Sequence, residues 1–368
     1  MIEGFSDRLL TWFDQFGRKH LPWQQNVTPY RIWISEIMLQ QTQVSTVIPY
    51  YEKFTNAFPS IESLAQAAED TVLHHWTGLG YYARARNLHK TAKQIVKHHE
   101  SQFPLTVEEL EAFPGIGRST AGAIVAICTD TKATILDGNV KRVLSRCFAI
   151  RGWPGSKTTA QSLWEIAEHL TPEHRVADYT QAIMDLGATV CTRSSPGCYN
   201  CPLALGCIAY QSNRIDDYPG KKPKKTMPIR KTIMLIIGNP QGEWLLQRRP
   251  SEGLWGGLWG FPENNGTNAG QITPGKTAAN TARHGKSDGI SATLEQLNLG
   301  GTMIESQATL KEIRHTFTHF HLDITPVLVK LAKMPTLIGE QTTRWYSPKS
   351  GDEIGLTGTV TKLLKELN

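Results

Sequence analysis

With 368 residues, 40% hydrophobic side chains and ten tryptophans, the chain can bury two ordinary cores. Glu3, Asp7, Arg8, Asp14, Arg18 and Lys19 interrupt the apolar positions of residues 1–30. This excludes the apolar stretch of a signal peptide, and nothing further along approaches a membrane span. A soluble, cytoplasmic protein is expected, and a net charge of +6 leans mildly towards a polyanionic partner.

From residue 1 to about 212 the pattern is mostly helical, with apolar side chains every three or four positions in 72–76 and 88–96. Between Arg31 and Glu52 the one charged residue is Glu36. On a helix it shares its face with Ile32, Trp33, Leu39 and Gln40. A desolvated carboxyl there holds its proton to higher pH, as a general acid must; the alternative is a surface Glu partnered by Arg31. Thr106 and Glu109 form a capping box for a short helix that stops at Pro114. Pro114-Gly115-Ile116-Gly117-Arg118-Ser119-Thr120 then reads as a tight turn into a second helix. Its outward amides suit DNA phosphates, in the manner of a helix-hairpin-helix.

Asp137 immediately precedes a helix carrying Val140, Val143, Leu144 and Cys147, so its first expected role is the N-cap. A capping carboxylate held by backbone N–H groups stays ionised and can also stabilise positive charge on a sugar. Cys191, Cys198, Cys201 and Cys207 follow at spacings of six, two and five and ask for a metal centre. One C-x2-C pair with a longer arm on each side suits the cage of a [4Fe-4S] cluster better than zinc, which usually draws on two such pairs.

Residues 213–229 combine prolines with Lys221, Lys222, Lys224 and Lys225 and read as an exposed linker whose charge is solvated. A second domain is expected over 230–368. It opens with a hairpin, Lys231 to Ile237 and Glu243 to Arg248, across a Gly-Asn-Pro-Gln-Gly turn. Residues 264–290 lack any hydrophobic period and read as a flexible surface insertion, followed by a helix near 291–297 and strands near 312–330. His315, His319 and His321 share one parity, but without a supporting carboxylate or cysteine cluster they read as polar strand residues rather than metal ligands.

Ser35 to Gln43 (Ser-Glu-Ile-Met-Leu-Gln-Gln-Thr-Gln), Gly78 to Asn87, Phe113 to Gly117, Leu136 to Val140 and the cysteine quartet together resemble the adenine DNA glycosylases of the MutY family. The resemblance spans nearly the whole chain. It implies a multidomain fold: an all-α helix-hairpin-helix glycosylase region with a [4Fe-4S] cluster over 1–212, then an α+β Nudix-like domain over 230–368. It also implies removal of adenine mispaired with 8-oxoguanine or guanine in double-stranded DNA, by a monomer that works in the cytoplasm, at the nucleoid of a prokaryote. Carried over residue by residue, Glu36 protonates N7 of adenine, Asp137 stabilises the oxocarbenium-like sugar and Asn139 assists. Gln41 and Tyr81 wedge into the duplex, while Gly115, Gly117 and Ser119 lie at the DNA. Trp255 to Pro262 resembles the approach to a Nudix box, yet no metal-binding carboxylate set follows, so lesion recognition is implied rather than pyrophosphate hydrolysis. Phe317-Thr318-His319 resembles the family's Phe-Ser-His loop, with Thr keeping the hydroxyl and adding a methyl.

Ser119 stands where strand-cutting relatives such as endonuclease III place a lysine that forms a Schiff base, which points to a single hydrolytic step. An endonuclease III-like lyase and a non-catalytic DNA-binding protein are the alternatives. The first is disfavoured by Ser119 and by the second domain, and the second by Glu36.

Overall fold

Hydroxyl caps and prolines set the helix boundaries of the first half of the chain. In the computed structural model, which describes residues 3–223, 226–264, 290, 293–297, 299, 304–335 and 342–367, the hydroxyl of Thr28 accepts from Arg31 N–H at 3.2 Å. With Pro29 at the first helical position it opens the helix that carries Glu36. The described chain divides into two units: Met1–Ala67 with Ala83–Lys224, and Ala68–Tyr82 with Lys225–Asn368.

The first unit is helical: α1 Phe5–Phe16, α2 Pro29–Leu39, α3 Val44–Ala57, α4 Ile61–Gln66, then α6 Ala83–His98, α7 Val107–Glu111, α8 Arg118–Thr129, α9 Gly138–Cys147, α10 Lys157–Leu170, α11 Val176–Asp185 and α12 Ile208–Gln211. α2 packs on α3, α6 and α8, burying Trp33, Ile34 and Met38 beside Tyr51 and Phe54. A second core joins Leu9 and Phe13 of α1 to Val143 and Leu144 of α9, Leu163 of α10 and Ile183 of α11. Buried Asp185, at the end of α11, accepts from Arg18 Nη2 at 2.6 Å and Arg18 N–H at 2.7 Å. The helix then widens into one π-helical turn, Leu186–Val190, which delivers the chain to Cys191. Such turns are rare and frequently mark functional sites.

The stretch expected to be an exposed linker is only partly so. Tyr218 is buried, and its carbonyl accepts from Arg146 Nε at 3.1 Å, so the start of 213–229 belongs to the first unit. An aromatic side chain among polar neighbours was the available signal. Lys221 and Lys222 are exposed, whereas Lys224 and Lys225 lie outside the described residues.

The second unit is built on a mixed sheet. Among the described residues it holds β1 Ile229–Gly238, β2 Trp244–Arg248, β3 Trp259–Gly260, β4 Glu263–Asn264, β5 Ile304–Thr309, β6 Ile313–Thr316, β7 His321–Leu331 and β8 Thr343–Tyr346. The order is β3-β2-β1-β7-β5, with β4 on β1, β6 on β7 and β8 on β2. β1 and β7 run parallel in register from Ile229↔His321 to Gly238↔Lys330, and Met234 to Ile237 are buried, as a central parallel strand requires. The 238–242 turn joins β1 to antiparallel β2, and Asn239 Oδ1 accepts from Gln241 and Glu243 N–H at 3.0 and 2.9 Å. Helical residues 293–296 lie within the helix expected near 291–297; they and α13 (Gly358–Leu367) add Leu294 and Leu363 to the buried set. Of the insertion expected at 264–290, residues 265–289 lie outside the described residues.

α5 (Glu69–Trp76) groups with this second unit, not with the helices that flank it in sequence. Arg248 Nη2 stands 3.2 Å from Asp70, and His74 Nδ1 lies 3.3 Å from the Ile354 carbonyl. Cutting the chain before residue 230 would therefore strip α5 of partners. Substitutions, rather than truncation, are the clean way to test the second unit.

Candidate active site and cysteine cage

Glu36 sits in the middle of α2 with buried Ser35 and Ile37 on either side. The residue is half-buried, and desolvation, with the charge of Asp137 adding to it, pushes its pKa up to about 8. A carboxylic acid at that value carries its proton at neutral pH. Asp137 arrives from a distant segment: it caps α9, accepting from Val140 N–H at 2.8 Å and from Asn139 Nδ2 at 3.2 Å. Burial outweighs these donors and Arg142, so its pKa is raised above the ordinary carboxylate range. The expected N-cap is present, but the expectation that the cap alone keeps Asp137 ionised meets a larger opposing influence from burial.

Arg142, inconspicuous in the linear sequence, fixes this corner. It donates to the Asn139 side-chain oxygen at 2.9 Å and to the carbonyls of Gly187 and Cys191 at 2.6 and 2.7 Å. Gly187 itself lies hard against Asn139, where an added Cβ would stand 2.5 Å from the Asn139 Cβ. One guanidinium therefore ties the residue after the π-helical turn to the partner of Asp137. The only signal was its position, one helical turn beyond Asn139.

The Gly115-Ile116-Gly117 turn buries Ile116 and exposes both glycines. Gly115 has φ +84°, which favours glycine. Gly117 has no such need, and a Cβ there would meet nothing within 4 Å. The first amide bonded within α8 is Ala121 N–H, to the Gly117 carbonyl, so the amides of 118–120 precede the ladder at an open helix start. Ser119 Oγ accepts from Leu136 N–H at 2.9 Å, tying α8 to the residue before Asp137. Arg118 reaches Glu168 at 2.5 Å and stacks on Trp164 at 4.0 Å. Gln41, exposed at the end of α2, has φ +57°. In the second unit Tyr81 has φ +49° and is 46% exposed. Left-handed backbone in large side chains is uncommon and tends to occur at functional positions.

Cys191, Cys198, Cys201 and Cys207 line one cavity together with Val143, Leu186, Val190, Leu203, Arg146 and Cys147. Among the described residues no three His, Cys, Asp or Glu side chains converge as ligands of a single ion. Arg146 Nη1 donates to Cys191 Sγ at 3.3 Å. The Cys147 thiol donates to Cys207, the largest influence holding the Cys207 thiol down at about 6, whereas burial pushes Cys201 up to about 12. Four soft sulfurs around an apolar pocket, two of them receiving hydrogen bonds, fit an iron-sulfur cluster.

In the second unit the chain turns back at 317–320 between β6 and β7, which pair from Thr316↔His321. Thr318 and His319 are thereby exposed at a hairpin tip, and His319 leaves the strand that parity had placed it on with His315 and His321. Phe317 packs on Phe320 at 4.7 Å, His315 at 4.4 Å and Trp255 at 5.3 Å, and Thr318 Oγ1 lies 3.3 Å from His319 Nδ1. Among the described residues no helix is long and apolar enough to cross a membrane.

Residues 34–169 match the family described as HhH-GPD superfamily base excision DNA repair protein, and residues 233–366 match the NUDIX domain. Adenine DNA glycosylase of Buchnera aphidicola subsp. Schizaphis graminum (strain Sg) is 38% identical over 363 residues, covering 98% of each chain. The Homo sapiens adenine DNA glycosylase is 34% identical over 314 residues, 71% of this chain and 57% of that one. Among solved structures, a thermostable thymine-DNA glycosylase is 27% identical and superposes with a TM-score of 0.52, covering 56% of this chain and 95% of its own. With a relative this similar along almost all of both sequences, and with a helix-hairpin-helix region followed by a Nudix-like sheet, the chain belongs to the adenine DNA glycosylases of the MutY family.

Proposed function

We propose that the chain hydrolyses the N-glycosidic bond of adenine opposite 8-oxoguanine, or guanine, in duplex DNA and so opens base-excision repair. The observation that carries the reading is the pairing of Glu36, protonated at neutral pH by burial, with Asp137, whose carboxylate accepts from Val140 N–H and Asn139 Nδ2. Glu36 delivers its proton to N7 of the flipped adenine, which then leaves as a neutral base. Asp137 stabilises the positive charge on the sugar, and water completes the substitution, a division of labour like that of paired glycosidase carboxylates. The open start of α8 at Gly117 holds backbone phosphate. Gln41 and Tyr81 each wedge into the duplex beside the mispair, and the hydroxyl of Thr318 with His319 reads the lesion. Single-turnover release of adenine from a duplex with one A·8-oxoguanine pair tests the reading, and absence of release overturns it.

Cys191, Cys198, Cys201 and Cys207 hold a [4Fe-4S] cluster in this reading, which supplies no chemistry to the base and braces the loop after α11. Purified protein is expected to be brown and to contain iron and sulfide, and Cys198→Ser to lose iron and thermal stability together. Colourless protein with stoichiometric zinc would overturn the assignment.

Ser119→Lys places an amine at the hairpin position, and some strand-cutting lyase activity is expected, read by borohydride trapping. The gain comes with slower base release, because the Leu136 N–H loses its acceptor beside Asp137. Trapping of the unmodified protein at the same level would favour a bifunctional enzyme.

A further inference from the structure

Leu39 to Thr42, which follows the Glu36 helix, is a type II β-turn. Thr42 N–H bonds to the Leu39 carbonyl at 3.2 Å, Gln40 has φ −56° and ψ 111°, and Gln41 has φ +57°. The third position of such a turn normally takes glycine or asparagine, because a larger side chain is strained there. Type I, with the same four residues, removes that strain by flipping the central peptide, the one that carries the Gln40 carbonyl. Something must therefore hold that carbonyl in place.

Arg84, buried at the start of α6, does so. Its Nη1 donates to the Gln40 carbonyl at 2.7 Å and to the Ile37 and Met38 carbonyls at 2.8 Å each, while Nη2 reaches Thr42 Oγ1 at 3.2 Å. The cation thus satisfies the last carbonyls of α2, where the helix dipole favours positive charge, and grips both halves of the turn. We propose that Arg84 is a positioning residue for base flipping: by fixing the Gln40 carbonyl it selects the type II turn and holds the Gln41 side chain in the strained form that enters the duplex. This rests on the reading of Gln41 as a duplex-inserting residue. Without Arg84 the central peptide relaxes, Gln41 leaves the left-handed region, and the side chain no longer meets the DNA at the required angle.

The test uses the full chain and a duplex with 2-aminopurine opposite guanine, whose fluorescence rises as the base unstacks. Arg84→Met is expected to slow the rise by about five- to tenfold, the bias that one left-handed residue represents. Adding Gln41→Asn, which tolerates the left-handed form and keeps the amide, should restore most of the rate in the Arg84→Met background. Arg84→Lys, which keeps one cationic donor, should fall between and serves if the Met variant does not fold. If Gln41→Ala flips the base as the unmodified protein does, Gln41 is not the inserting residue. If Gln41→Ala is slow while Arg84→Met flips normally, or Asn at position 41 fails to rescue, the role of Arg84 is overturned.

Discussion

Glu36→Gln is expected to lower base release by about 100- to 10,000-fold, the usual contribution of a positioned general acid, while duplex affinity stays nearly unchanged. The amide keeps the shape and polarity of the side chain but has no acidic proton. In the unmodified protein, single-turnover release should be flat towards neutral pH and fall about tenfold per unit above about 8, where burial has placed the Glu36 pKa. A low-pH limb is expected where Asp137 takes up its proton. Stability gives an independent readout with a definite sign. A carboxyl raised from 4.5 to about 8 favours the folded state only while protonated, so its contribution is complete below pH 4.5 and is lost as pH rises through about 8. Glu36→Gln cannot ionise and should therefore be the more stable protein at pH 8 to 9, by about 1–3 kcal/mol after allowance for partial solvent access, with the gap closing near pH 4. Equal melting at both pH values, together with normal turnover, would remove Glu36 from the role of acid.

Arg142→Met should cost about 2–5 kcal/mol of stability and most of the activity. The apolar replacement leaves the Cys191 and Gly187 carbonyls and the Asn139 side-chain oxygen without their shared donor. Asn139 then loses the contact that turns its amide nitrogen towards Asp137, so in the proposed mechanism Asp137 is less well supported. Because the same guanidinium holds the Cys191 backbone, the iron of the proposed cluster should also be lost to a chelator faster than from the unmodified protein. Arg142→Lys supplies a single cationic head in place of a planar fork and should recover only part of each property. Thermal melting, iron release and single-turnover rate measured on the same preparations check this. A variant that melts, holds iron and turns over normally would show the bridge to be incidental.

Much of the local geometry was legible in the linear sequence because it rests on local rules. The N-cap geometry of Asp137 follows from its position before an amphipathic helix, the turn at Gly115 from its need for positive φ, and the cysteine cage from spacing alone. An isolated carboxylate in an apolar helix likewise marked Glu36 as a candidate acid, although residue type left a surface role open. Desolvation by surrounding helices, which raises its pKa to about 8, was not legible, since a pKa depends on every neighbour and not on the flanking residues alone. Three further matters were settled by the tertiary structure. Arg84 and Arg142 are ordinary helix residues in the sequence; their guanidiniums act on carbonyls that lie far along the chain and become neighbours only when the helices pack. Tyr218 joined the first unit because an aromatic ring gains more by burial than a polar segment does by solvation. α5 left the helical region for the sheet unit because helical periodicity records that a face is buried and carries no record of what buries it.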